Sequence, residues 1–141
     1  MNDKSPTPEI FEPATAGWDI VDRMGFGHHV GPLWRKGDGC FGFAVAEKHI
    51  NFNNVLHGGM LATLVDQAMG ITALRATGSK KHATIELSVQ FVGAIRLGEF
   101  VEANCEVVRL TRSIIFMRSK VTVGTRTVGT ASGVWKIADE K

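Results

Sequence analysis

Four stretches in the second half of the chain alternate apolar and polar residues. In residues 84–92, Ile85, Leu87, Val89 and Phe91 alternate with Thr84, Glu86, Ser88 and Gln90, the period-two pattern of a strand with one face buried. Val101, Ala103, Cys105 and Val107 repeat it against Glu102, Asn104 and Glu106. Ile115, Met117, Val121 and Val123 make a third such strand, and residues 127–137 a fourth, with Gly129, Ala131, Gly133, Trp135 and Ile137 on one side. The links between them are short, which predicts an antiparallel meander of four consecutive strands. Earlier, residues 39–46 are a run rich in Phe and Val, bounded by Lys36, Gly37 and Asp38, and read as one more strand.

Residues 58–77 have a different period. At about 100° per residue Leu61, Leu64, Val65, Ala68, Ile71 and Thr72 fall on one stripe, and Gly78 supplies a stop. Such a helix is about 30 Å long, enough to lie across five strands spaced about 4.8 Å apart. The pattern therefore predicts an α+β domain: one long central helix wrapped by a five- to six-stranded antiparallel sheet. Residues 18–24 suggest a further short helix, followed by an irregular loop around Gly25, Gly27, Gly31 and Pro32. Residues 1–12 carry Pro6 and Pro8 with little periodicity and read as a flexible N-terminal arm, leaving residues 13–141 as a single domain.

A chain of 141 residues is too short for two ordinary catalytic domains. Lys+Arg 16 against Asp+Glu 14 leave a net charge of +2 spread without basic runs, so nucleic acid is not an expected partner. No segment approaches the roughly 18 uninterrupted apolar residues of a membrane span, and the first residues do not resemble a secretory leader, so no membrane partner and a cytoplasmic location are expected. Cys40 and Cys105 have no ligand spacing and read as buried free thiols. His28, His29, His49, His57 and His82 form neither HxxxH nor HExxH, so neither a metal nor a cofactor is implied.

The helix face opposite the apolar stripe carries Ala62, Thr63, Asp66, Gly70 and Ala73. An outer surface would normally carry Lys and Glu, and an aspartate in mid-helix gains nothing from propensity or dipole; Asp66 therefore reads as a functional acid. Ahead of the helix, Asn51 opens a polar segment that ends in His57, Gly58 and Gly59. Glycines in a first helical turn leave N–H groups unshielded, ready for a carbonyl oxygen or an anion. His57 and Asp66 are nine residues apart, which on one helix is half a turn out of phase and about 13 Å along the axis. A site using both requires two subunits with antiparallel helices, so a homodimer at minimum is expected.

Asn51, the His57-Gly58-Gly59 step and Asp66, on the loop and long helix before the strands, resemble the signature of the hotdog-fold acyl-CoA thioesterases, in the phenylacetyl-CoA (PaaI-like) branch. The resemblance covers about residues 35–138. It implies a hydrolase that splits an acyl-CoA into free CoA and a carboxylic acid. Asp66 would be its general base or nucleophile, and Gly58 N–H would bind the thioester carbonyl. Asn51 and His57 would line the pocket from the facing subunit, and Thr84 would hold the attacking water. It also implies a homotetramer built as a dimer of dimers. Two alternatives stand beside it. A hotdog-fold enoyl-thioester hydratase or dehydratase is disfavoured because that branch has His-Phe-Pro-Gly where this chain has His57-Gly58-Gly59; a non-catalytic acyl-CoA-binding protein is disfavoured by the joint presence of acid, glycine and Thr84.

Overall fold

The β-branched and aromatic runs pair into one antiparallel sheet in the computed structural model, which describes residues 10–21, 24–78 and 80–139. The elements are β1 (Asp19–Val21), α1 (Phe26–Val30), β2 (Leu33–Lys36), β3 (Cys40–Ala44), α2 (Gly58–Ala76), β4 (His82–Phe91), β5 (Phe100–Leu110), β6 (Ile114–Val123) and β7 (Arg126–Ile137). The sheet order is β1-β2-β3-β5-β6-β7-β4, and α2 lies across one face. Leu61, Leu64, Val65, Ala68 and Met69 of that helix are buried with Phe41, Phe43, Val101, Ile115, Met117 and Trp135 of the strands. Each large side chain in this core contributes roughly 1.5–3 kcal/mol by leaving water. No helix among the described residues is long and apolar enough to cross a membrane.

Five local expectations are corrected. Residues 19–21 form strand β1 where a helix over 18–24 was expected, because Ile20 and Val21 pair with Trp34 and Leu33 of β2; the short helix comes later, at α1. Among the described residues the sheet therefore has seven strands, the two additional ones being β1 and β2. The meander holds only for β5, β6 and β7. Strand β4 pairs with β7 at the far edge, and β3 occupies the side of β5 where β4 was expected. Ala73, expected on the outward face of the helix, is fully buried, because the buried arc of α2 extends past the six-residue stripe through Met69, which is buried too. Finally, β4 carries a bulge: Thr84 pairs with Trp135 and Glu86 with Val134, so Ile85 is an extra residue. Strict alternation puts Thr84 on the face away from Leu87, Val89 and Phe91; the bulge turns it onto the helix side with them.

The first nine residues of the arm lie outside the described residues. At its end Phe11 stacks on Phe100 with ring centroids 4.6 Å apart, and Trp18 meets the same ring at 5.0 Å. The turn from β2 to β3 requires Gly39, whose φ is +80° and where a Cβ would lie 2.7 Å from the Cys105 carbonyl oxygen.

Candidate active site

Asp66 sits at the middle of α2, half-buried, on the wall of a cavity of about 310 Å³ shared with Gln67, Gly70, His82, Thr84 and Trp135. Thr84 Oγ1 donates to Asp66 Oδ1 at 2.8 Å. That contact exists because the Ile85 bulge aims Thr84 at the helix. Among the described residues Asp66 Oδ2 has no protein partner. On the same wall His82 Nε2 donates to the Gly70 carbonyl at 2.6 Å, which fixes its ring against the helix.

Gly58 sits at the other end of the arrangement, the first residue of α2. His57 is the N-cap, and its Nδ1 accepts the Gly59 N–H at 2.8 Å, satisfying one of the donors a helix start leaves open. The Gly58 N–H donates to nothing among the described residues. It borders a second cavity, of about 360 Å³, between residues 55–58 and 91–95. His57 itself faces a third, of about 300 Å³, with Phe26, Val30, His49, Met60 and Thr63.

Asn51 shapes the loop. Its Oδ1 accepts N–H groups from Asn53 at 2.9 Å and Val55 at 3.3 Å, and its own N–H donates to the Val55 carbonyl at 2.8 Å. It lines none of the three cavities. A single chain thus brings Asp66 together with Thr84, and His57 together with Gly58 and Gly59, but it does not bring the two groups together. Eight residues of helix, about 12 Å, separate Gly58 from Asp66.

Sequence reasoning passed over His49, His82 and Gln67. His49 is 3% exposed, with Nδ1 accepting Ala46 N–H at 2.9 Å and Nε2 donating to the Val30 carbonyl at 2.5 Å. No spacing rule finds it, because its partner lies on a different element 19 residues away. Gln67 follows Asp66 and is likewise half-buried, and Gly27 of α1 approaches so closely that a Cβ there would lie 2.7 Å from the Gln67 amide nitrogen.

Residues 53–130 match the family described as Thioesterase superfamily. The chain belongs to that superfamily. The matched stretch holds Gly58, Asp66 and Thr84, while His49 and Asn51 lie just ahead of it. This thioesterase is 30% identical over 135 residues to a Pseudomonas aeruginosa protein named "putative esterase", covering 92% of this chain and 96% of that one. Its fold matches a zebra fish thioesterase superfamily member 2 with a TM-score of 0.75 at 20% identity, over 83% of this chain and 89% of that one. A Bacillus halodurans protein solved with CoA matches at 26% identity and a TM-score of 0.67, over 72% and 68% of the two chains.

Proposed function

We propose that this thioesterase hydrolyses acyl-CoA thioesters to free CoA and a carboxylic acid, with Asp66 as general base and Gly58 N–H as the donor to the thioester carbonyl. The observation that carries the reading is the 2.8 Å bond from Thr84 Oγ1 to Asp66 Oδ1. It orients the carboxylate and leaves Oδ2 to accept a proton. The CoA in the Bacillus halodurans neighbour supports the substrate class.

Asp66 Oδ2 takes a proton from water as the water oxygen attacks the carbonyl carbon. The carbonyl π pair moves onto oxygen, where the Gly58 N–H and the positive end of α2 stabilise it; losing one such donor costs about 2.7–4 kcal/mol of barrier. The tetrahedral intermediate re-forms C=O and breaks the C–S bond, and the departing sulfur recovers the proton from Asp66. In this reading His57 acts by occupying the Gly59 N–H and leaving Gly58 free. Asn51 acts by holding the loop that delivers both.

The two halves meet between copies of the chain. β4 ends the sheet, and Ile85 and Phe91 on it are 56% and 61% exposed. Two such edges pairing antiparallel about a two-fold at Ser88 continue the sheet. With Ile85 counted as the extra residue, Thr84 then comes opposite Phe91 of the partner subunit, the residue that in each chain packs on Gly58. The active form is thus a homodimer with two shared sites. The family resemblance extends this to a homotetramer.

The test is Asp66→Asn. Thiol release should fall by about 10²- to 10⁴-fold in kcat, the usual contribution of a positioned base, while sedimentation still gives the wild-type oligomer. Near-normal hydrolysis by the variant rejects the assignment. Incorporation of solvent ¹⁸O into Asp66 during single turnovers would replace the base with a covalent nucleophile.

A further inference from the structure

α1 borders both halves of the site. Gly27, with Met24 just ahead of the helix, lines the Asp66 cavity, while Phe26 and Val30 line the His57 cavity. Five residues of helix have little stability of their own. The end of α1 is held by two consecutive side chains from the turn before the Asn51 loop. Lys48 Nζ donates to the His29 carbonyl at 3.1 Å and the Gly31 carbonyl at 2.7 Å, and His49 Nε2 donates to the Val30 carbonyl at 2.5 Å. Because Nδ1 of the same ring accepts the Ala46 N–H, the proton of the ring is on Nε2 and Nδ1 carries none. The ring packs edge-on to Phe43 with centroids 5.0 Å apart. The main-chain carbonyl of His49 accepts the His57 N–H at 2.8 Å, one residue before Gly58.

We propose that His49 is a positioning residue for thioester hydrolysis: as a neutral imidazole it ties α1, the turn over residues 46–49 and the start of α2 into one unit, so that Gly58 N–H and the wall made by Phe26 and Val30 are aimed together. The proposal rests on the reading of Gly58 as the carbonyl donor. A second proton on Nδ1 would face the Ala46 N–H, two donors with no acceptor in a buried place. The titratable and charged groups around the ring are Glu47 and Lys48 on its own turn, His28 and His29 on α1, and His57 at the start of α2. Burial pushes the His49 pKa below the ordinary 6.5, and the Lys48 charge acts the same way, against the bond to Val30. A histidine lowered in the folded state leaves stability intact above about pH 6.5 and erodes it as pH falls below that value. The clamp therefore opens on the acid side.

The experiment uses the full chain with three variants. His49→Asn keeps an acceptor for the Ala46 N–H, His49→Gln keeps a donor for Val30, and His49→Ala keeps neither. kcat and KM for thiol release are measured from about pH 5 to about 8, alongside the Gly58 amide and His49 imidazole resonances. His49→Ala, which loses both hydrogen bonds, should lower kcat at least about tenfold, the rate equivalent of one such bond, with Asn and Gln each recovering part of it. None of the three should show the component of the wild-type acid-side fall in kcat that follows His49. In the wild type the Gly58 amide should shift with the same midpoint as the His49 ring. A Gly58 amide indifferent to that titration, or a His49→Ala variant with wild-type kcat, KM and pH profile, overturns the proposal. Equal losses in all three variants together with lost thermal stability also overturn it, since they mark packing alone. If the Gly58 amide follows His49 and His49→Ala lowers kcat while Gly58→Ala does not, the clamp stands and the assignment of Gly58 as carbonyl donor is what falls.

Discussion

A methyl group on Gly58 would meet Phe91 Cε1 at 3.2 Å and Cζ at 3.3 Å, so the ring over the helix start must move for any larger residue. Alanine is also the better helix former by about 0.8–1 kcal/mol, which offsets that crowding in the folded chain. The loss should appear in the chemistry. For Gly58→Ala we expect kcat to fall between about tenfold and about a hundredfold through misalignment of the N–H, with a nearly unchanged melting temperature, checked by thiol release and a thermal melt. Which glycine N–H stays open at the helix start was only half legible in the sequence. The His-Gly-Gly step marks a helix start with open donors, but that His57 takes the Gly59 N–H depends on a cap geometry that no spacing specifies. The thiols show the same limit. Cys40 and Cys105 are free and only partly buried. Burial nonetheless raises the Cys105 thiol to about 11, against the lowering effect of its Ser119 contact, so it is no nucleophile near neutrality.

At the scale of elements, the period of the strands and of α2 was plain because each buries an unbroken face. What the alternation could not carry was order and irregularity. Residues 92–99 look like a turn. Instead they run past the helix start, where Ile95 is buried and its carbonyl accepts the Leu56 N–H at 2.7 Å, and so carry β4 away from β5. A strand of three residues such as β1 spans barely more than one alternation, too little to separate it from a helical turn. The Ile85 bulge has no compositional mark at all, although it decides which face Thr84 occupies. The edge that β4 leaves exposed gives a prediction at this scale. Ser88 is on the outer face, bonded to Glu86 Oε1 at 2.7 Å, and at the proposed two-fold it opposes its own copy. Ser88→Glu places like charges directly across the ladder, which is destabilising. Sedimentation should shift toward the monomer and activity should fall with it, whereas a dimer unaffected by the substitution places the axis elsewhere.

For the whole molecule, the proposed division of the site between subunits predicts complementation. Asp66→Asn and Gly58→Ala, each impaired alone, are refolded together so that subunits mix at random. A mixed dimer has one site with Asp66 from one chain and Gly58 from the other, both intact, and one site with neither. Half the dimers are mixed and each has one good site of two, so activity should return to about a quarter of wild type. No gain over the separate variants means that each chain houses its own complete site. Here too the sequence carried part of the argument, since nine residues of helix between His57 and Asp66 are enough to forbid contact within one chain.

The bare rim of β4 also affects the single chain. A ribbon of ten residues with unclaimed amides and greasy side chains is a template for whatever extended peptide drifts by. In the proposed dimer a twin would hide it, so the encounter that completes the chemistry there would also guard a newly made copy against clumping.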